Sequence, residues 1–308
     1  MPLRFLLACC CALLIGAGTD ARAQAWPQPR GGLYLKLSHS RSVASEQWDF
    51  NGVVKPYAEG MTGNAFFDRS FYLYGEYGLT DNLTFVALLP FKRLRVHDGA
   101  FEFETEGLGS VMLGLRVGLK RLFNVRSDRS ALALNVTATL PAGYTRNLSP
   151  ALGPGQADLQ AVVSYGLSLY PAPVYAQAGF GFRLRSAIYG LSRAEACPPD
   201  AVPRTCVDDA RPEYADEWLF SGEVGLTLGR WALLQALGFG VWSNLPPETG
   251  FDPLNPLPTR TRYVKAGAGL TVYPRRRVGL SVQYFGTLYG RNTIRSTDWF
   301  FGLEYRLP

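Results

Sequence analysis

The side chains able to do chemistry in this 308-residue chain are few. It holds two histidines, His39 and His97, and five cysteines. His39 stands between Ser38 and Ser40. In an extended strand neighbouring side chains point to opposite faces. His39 then turns away from both serines and cannot make a Ser–His pair, which needs heavy atoms ~2.6–3.2 Å apart. His97 adjoins Asp98 at what reads as a loop edge, in solvent. A catalytic site at a barrel rim needs a histidine beside Ser or Asp on an adjoining strand. The sequence displays no such set, so the expectation is a protein that is not an enzyme and needs no cofactor. Cys197 and Cys206 share the segment 194–211 with no histidine or third cysteine. A metal site is therefore the less favoured reading. In an oxidising compartment the pair reads as a disulfide stapling a loop.

A third kind of chemistry is a row of charges in a wet interior. Many stretches alternate apolar with polar residues at period two. On the polar faces stand Lys36, Tyr74, Glu76, Arg116, Lys120, Asp158, Arg183, Arg185, Glu217, Glu223, Lys265, Glu304 and Arg306. If the apolar faces meet lipid, these residues line a lumen. A solute path and a salt-bridged plug both remain open, because the signs are mixed. Arg183 and Arg185 are expected to face Glu217 and Glu223 on the next strand, since consecutive strands usually pair.

The elements that must carry these residues are strands. The last nine residues before the terminal proline set the pattern. Trp299, Phe301, Leu303, Tyr305 and Leu307 alternate with Phe300, Gly302, Glu304 and Arg306. Similar alternation runs back through Val278–Tyr284, Val264–Val272, Val174–Leu184, Leu159–Leu167, Leu132–Ala138, Val111–Leu119, Leu83–Leu89, Phe71–Tyr77 and Leu33–Leu37. Two strands are less regular. The parity of Glu217–Leu228 is read as slipping near Gly222. After Trp231, Leu233, Leu237, Phe239 and Val241 are read as outward, although Gln235 shares their parity. Long polar or proline-rich loops are expected at 41–64, 141–155, 186–216, 245–258 and 290–298, with short turns at the other end. The loop 186–216 is the longest. About twelve strands are read, and their lengths are nearer the ~9–11 residues that span a bilayer than the ~5–6 of a soluble sandwich. Tyr77, Tyr170, Trp231, Tyr273, Trp218, Trp242 and Trp299 sit near strand ends, as in interfacial aromatic belts. The fold class expected is all-β: a transmembrane antiparallel up-and-down β-barrel over residues 26–308.

Residues 1–25 read as a secretory signal peptide. Arg4 is followed by the apolar run 5–16, then by Ala21-Arg22-Ala23 and Ala23-Gln24-Ala25. Its loss removes Arg4, Arg22 and Asp20, so the net charge of +6 falls by one. That charge is too dispersed for a nucleic-acid footprint. Localisation in a bacterial outer membrane follows.

The closing strand resembles the C-terminal assembly signal of bacterial outer-membrane proteins, from which it departs by ending in Leu-Pro. The resemblance implies that the barrel-assembly machinery reads 299–307. Gly107-Leu108-Gly109-Ser110-Val111-Met112-Leu113-Gly114-Leu115-Arg116 resembles the GLGDLxLGLRY strand of the outer-membrane family grouped with the meta-pathway of phenol degradation. Ser110 stands where that family usually has Asp. Leu140-Pro141-Ala142-Gly143, then Leu152-Gly153-Pro154-Gly155-Gln156-Ala157-Asp158-Leu159, is similar to its LPTG…LGxGxxDxxL segment, and Tyr77–Leu83 fits it too. The resemblance implies a transporter passing small solutes, apolar or aromatic ones among them, by passive diffusion. The alternative is a structural or surface-interaction barrel with a plugged lumen, and a rim enzyme is the least favoured reading. The expected surroundings are outer-membrane lipid and lipopolysaccharide. Lys92, Arg93, Arg95, Arg260, Arg262, Arg291 and Arg295 are candidates for its phosphates.

Overall fold

The computed structural model describes residues 25–60, 62–99, 101–120, 129–197, 199, 206, 211–248 and 257–307. The signal-peptide reading therefore lies, but for Ala25, outside the described residues. Fifteen strands follow one another: β1 (Leu33–Trp48), β2 (Val54–Pro56), β3 (Phe66–Asp68), β4 (Phe71–Thr80), β5 (Leu83–Asp98), β6 (Phe101–Leu108), β7 (Val111–Gly118), β8 (Ser130–Leu140), β9 (Asp158–Ser168), β10 (Val174–Arg185), β11 (Glu217–Leu228), β12 (Ala232–Ser243), β13 (Arg262–Arg275), β14 (Val278–Arg291) and β15 (Thr293–Leu307).

They make a closed barrel of twelve staves. β3 and β4 both lie between β1 and β5 and form one stave, interrupted at Arg69-Ser70. β6 and β7 likewise follow one another along β5, interrupted at Gly109-Ser110. β2 only extends the tip of β1. Every neighbouring pair is antiparallel, and β15 returns to β1 with Leu33 opposite Leu307 and Lys36 opposite Glu304. Closure leaves no unpaired edge, which a sheet in hydrocarbon requires. Leu37, Leu73, Leu89, Val163, Leu184, Leu280 and Leu303 are among the large apolar side chains left exposed on the outer wall. In a soluble protein such a band would be a liability; facing lipid it is what inserts the barrel. The chain is thus an outer-membrane-type barrel, and no helix among the described residues is long and apolar enough to span.

The structure corrects several strand boundaries. β1 continues through the stretch read as a loop from Arg41, up to Trp48. β14 and β15 meet in a tight hairpin at Asn292, which adopts φ 52°, so 290–298 is strand rather than loop. Asn tolerates this left-handed conformation better than most residues do. The register of β11 runs without a break from Glu217 to Leu226 with β10 and to Leu228 with β12, so there is no slip at Gly222. The face of β12 is inverted relative to the reading above. Leu233 and Val241 are buried and Leu234 is exposed. Leu233, Gln235, Leu237, Phe239 and Val241 therefore face inward. Tyr273 also points inward, with its hydroxyl on Arg306. Lys92 shares the inward parity of the buried Leu94 and Val96, and leaves the set of outer cations.

Candidate functional site

The candidate site is the lumen, filled in three storeys. At the periplasmic end the chain before β1 runs inside the barrel. Pro27 and Pro29 lack N–H groups, so this short segment has few donors to satisfy in the interior. The Ala25 N–H donates to Gln177 Oε1 at 3.3 Å on β10. The Trp26 ring meets Tyr175 edge-on at 6.4 Å. It lies over Gly166, where a Cβ would come within 2.2 Å of it. Gln28 donates from its backbone N–H to Thr84 Oγ1 (2.8 Å) and from Nε2 to Glu76 Oε2 (2.6 Å). The segment then leaves past Gly78, whose missing side chain makes room for the Pro29 carbonyl. It crosses the lumen from β10 to β4. In sequence it shows only as a proline-containing entry.

The middle storey is a set of buried ion pairs. Arg116 is 2% exposed and donates to Glu76 Oε1 (2.8 Å), Asn135 Oδ1 (2.8 Å) and the Trp26 carbonyl (3.1 Å). The Tyr74 hydroxyl adds a donor to Glu76. Lys36 and Arg306 share Glu304 at 3.4 and 3.2 Å, and Arg306 lies between the rings of Tyr34 and Tyr273. Glu223 accepts from Tyr175, from Gln177 Nε2 (2.7 Å) and from Gln235 Nε2 (2.6 Å).

In the outer storey Arg183 meets Glu217 at 2.7 Å, while Arg185 meets Asp158 at 2.7 Å and Glu217 at 3.8 Å. Lys265 donates to Asp298 and to Ser296. Of the thirteen polar-face positions read from the sequence, twelve belong to these side-chain networks, and Lys120 lies beside Trp26 and Pro27. They do not all come together as expected. Glu223 stands opposite Gln177, six residues down the strand from Glu217, and takes no part in the arginine cluster.

Sequence reasoning missed a second wall. Five inward rings run across neighbouring strands. Tyr72 lies 6.3 Å from Phe300, Phe300 6.0 Å from Phe285, and Phe285 5.5 Å from Phe239, which is 6.3 Å from Tyr263. Such edge-to-face spacings are favourable ring geometry. The signal was present in β15, where Phe300 shares its parity with Asp298 and Glu304. Above the rings, Tyr57, Ala58, Ala65, Tyr144 and Leu152 from the connections pack on Ala44 of β1, Phe66 of β3 and Leu94 and Val96 of β5 to form an apolar cluster. Burial pushes the Tyr144 phenol up, so it stays neutral beside Ser110 and accepts the Gly155 N–H. Cys197 and Cys206 are joined by a disulfide within the long loop, and Asn147 reaches their sulfurs.

Neither histidine belongs to these lumenal networks. His39 stacks on Phe71 on the outer wall, with Ser38 and Ser40 on the opposite face. His97 stands 3.4 Å from Glu102 on the β5–β6 hairpin. Among the described residues no group of His, Cys, Asp and Glu is arranged to hold a metal ion. The outer cations are largely engaged: Arg93 with Glu104, Arg95 with Glu102, Arg260 with Glu248, Arg295 with Glu46 and Arg262 over the Trp242 ring.

No family model and no curated protein matches the chain. Solved structures do. The COG4313 outer membrane channel from Pseudomonas putida F1 superposes with a TM-score of 0.69 at 15% identity, over 93% of this chain and 99% of that one. The NanC porin gives 0.49 at 6% identity (89% and 100% covered). The CymD monoaromatic hydrocarbon channel gives 0.44 at 12% identity (95% and 92% covered). At such identities likeness speaks of architecture, and the present chain has, like the first of these, the fold of an outer-membrane β-barrel.

Proposed function

We propose that the barrel is an outer-membrane channel for small apolar or aromatic solutes, passing them by diffusion and closed at rest. The observation that carries this reading is the inward aromatic wall of Tyr72, Phe300, Phe285, Phe239 and Tyr263. A lumen built only to be inert has no need of five rings on one side. The lumenal charges beside them are paired with one another, so a neutral solute does not have to compete with an unscreened field. The glycine motifs Gly107–Arg116 and Leu152–Leu159 support placing the chain with the phenol meta-pathway barrels. The parity of β15 and its pairing with β1 support it as the segment read by the assembly machinery.

The test is uptake of a monoaromatic compound by cells, because an asymmetric lipopolysaccharide membrane resists such compounds where a phospholipid bilayer does not. Phe239→Ala with Phe285→Ala should slow uptake while the barrel keeps its heat-dependent gel mobility. Uptake equal to that of cells lacking the protein would favour the plugged structural barrel, for which the dense ion pairing speaks.

Ion selectivity gives a second expected outcome. Glu223 is held by neutral donors, so Glu223→Ala should move the reversal potential of any residual conductance toward anions. Arg183→Ala with Arg185→Ala should move it toward cations. Unchanged reversal potentials in both variants would place these side chains off the path.

A further inference from the structure

We infer that the outer wall of β1, the β3–β4 interruption and β5 forms a binding site for the phosphates of outer-leaflet lipopolysaccharide. Arg41, Arg69 and Arg93 lie side by side on these three neighbouring staves. The Arg69 N–H donates to the Arg93 carbonyl at 2.9 Å, and the Ser40 N–H donates to the Ser70 carbonyl at 2.8 Å, which sets Arg41 opposite Arg69. All three are exposed, and they share the outward parity of Leu37, Phe71 and Phe91.

Like charges directly opposite one another on neighbouring strands destabilise a sheet. Here three stand in one row. Arg93 has carboxylates in Glu104 (2.5 Å) and Glu106 (3.8 Å). Among the described residues no carboxylate stands within ion-pair distance of Arg41 or Arg69. The row is therefore stabilised by an anion from outside the chain. Guanidinium groups suit phosphate because their planar fork donates two parallel hydrogen bonds.

The residues beneath the row specify that the phosphate carries a lipid. Two positions nearer the membrane, Phe301, His39, Phe71 and Phe91 face one another across the same staves. Phe71 and Phe91 are each about half exposed. Trp299 flanks Arg41 at the level of the arginines. Cations above an aromatic shelf, at the end of the barrel where β1 and β5 enter the outer hairpins, match a phosphorylated headgroup above its acyl chains. Two of the three arginines were hidden in the sequence, because Arg41 lies in the stretch 41–64 that reads as loop and Arg69 stands before the alternation resumes at Phe71.

The test uses the purified full-length mature protein in detergent and native mass spectrometry with three probes: bis-phosphorylated lipid A, the same lipid dephosphorylated, and inorganic phosphate. Arg41→Ser with Arg69→Ser should weaken the phosphorylated lipid about tenfold, the scale of a lost charge-assisted hydrogen bond or two. Arg275→Ser with Arg276→Ser, at the periplasmic turn, should leave it unchanged. Arg69→Gln alone serves as the milder variant if the double one misassembles, and should give a smaller loss in the same direction. Equal affinity of wild type and the outer variants for phosphorylated lipid A would overturn the assignment. So would an equal loss with the dephosphorylated lipid, which would mean apolar adhesion. Competition by inorganic phosphate at the same concentration would mean a soluble-anion site and would overturn it as well.

Discussion

Protein refolded from residue 31 onward should conduct about tenfold more than protein refolded from residue 25 onward, because a twelve-stranded barrel lies between the self-filled eight-stranded kind and the open sixteen-stranded kind. At its periplasmic end what fills it here is the segment before β1, not the wall. Trp26, Pro27 and Gln28 hold their places through contacts with β4, β5, β7, β9 and β10, and none of those strands depends on the segment for its ladder. Removing it leaves Glu76 with Arg116 and Tyr74, so the middle storey should survive. A gentler route to the same end is Gly166→Val. Even the first carbon of a side chain there would lie 2.2 Å from the Trp26 ring. The ring is held by an edge contact with Tyr175 and by no strand ladder, and will yield before the strand does. Planar-bilayer recordings of both variants check the expectation. Conductance unchanged from the wild type in both would mean that the closure lies elsewhere, in the apolar cluster of loops above.

The barrel was legible because its period is two and its outer face is greasy throughout. Where both faces are apolar the reading failed. In β12 the inward Leu233, Leu237, Phe239 and Val241 oppose an outward Leu234, Ala236 and Trp242, and only Gln235 marks the inner side. An aromatic lumen wall thus erases the contrast on which the sequence reading depends. Gly222 failed for a related reason, since glycine carries no side chain to assign to a face. Pairing between neighbouring strands was legible to first order. Arg183 does meet Glu217. Glu223 is six residues further on, about 20 Å along a strand, too far to join them. The intraluminal segment had no signal at all. Ala25 and Gln177 are 152 residues apart, and nothing periodic in Trp26–Arg30 says that it lies inside rather than below the barrel.

The largest loss of stability is expected at Arg116. It is the bulkiest side chain in the fully buried interior, and its guanidinium joins Glu76, Asn135 and the Trp26 carbonyl. Arg116→Ala leaves Glu76 as an enclosed anion with only Tyr74 and Gln28 as donors. Breaking a buried pair from one side typically costs ~3–5 kcal/mol, because the remaining charge is uncompensated. Removing both charges need not. Arg116→Met with Glu76→Gln keeps the volume and removes the stranded anion, and such replacements are often neutral. The double variant should therefore unfold near the wild-type urea midpoint, and the single one well below it. The pair also separates stability from closure. Both variants lack the donor to the Trp26 carbonyl, so both should anchor the N-terminal segment less firmly and conduct more, although only one of them is destabilised. Urea titration read by heat-dependent gel mobility, with bilayer recording on the same samples, checks the two expectations independently. An Arg116→Ala midpoint equal to that of the wild type would mean that water reaches Glu76, and that the middle storey is a wet path rather than a sealed stack of ion pairs.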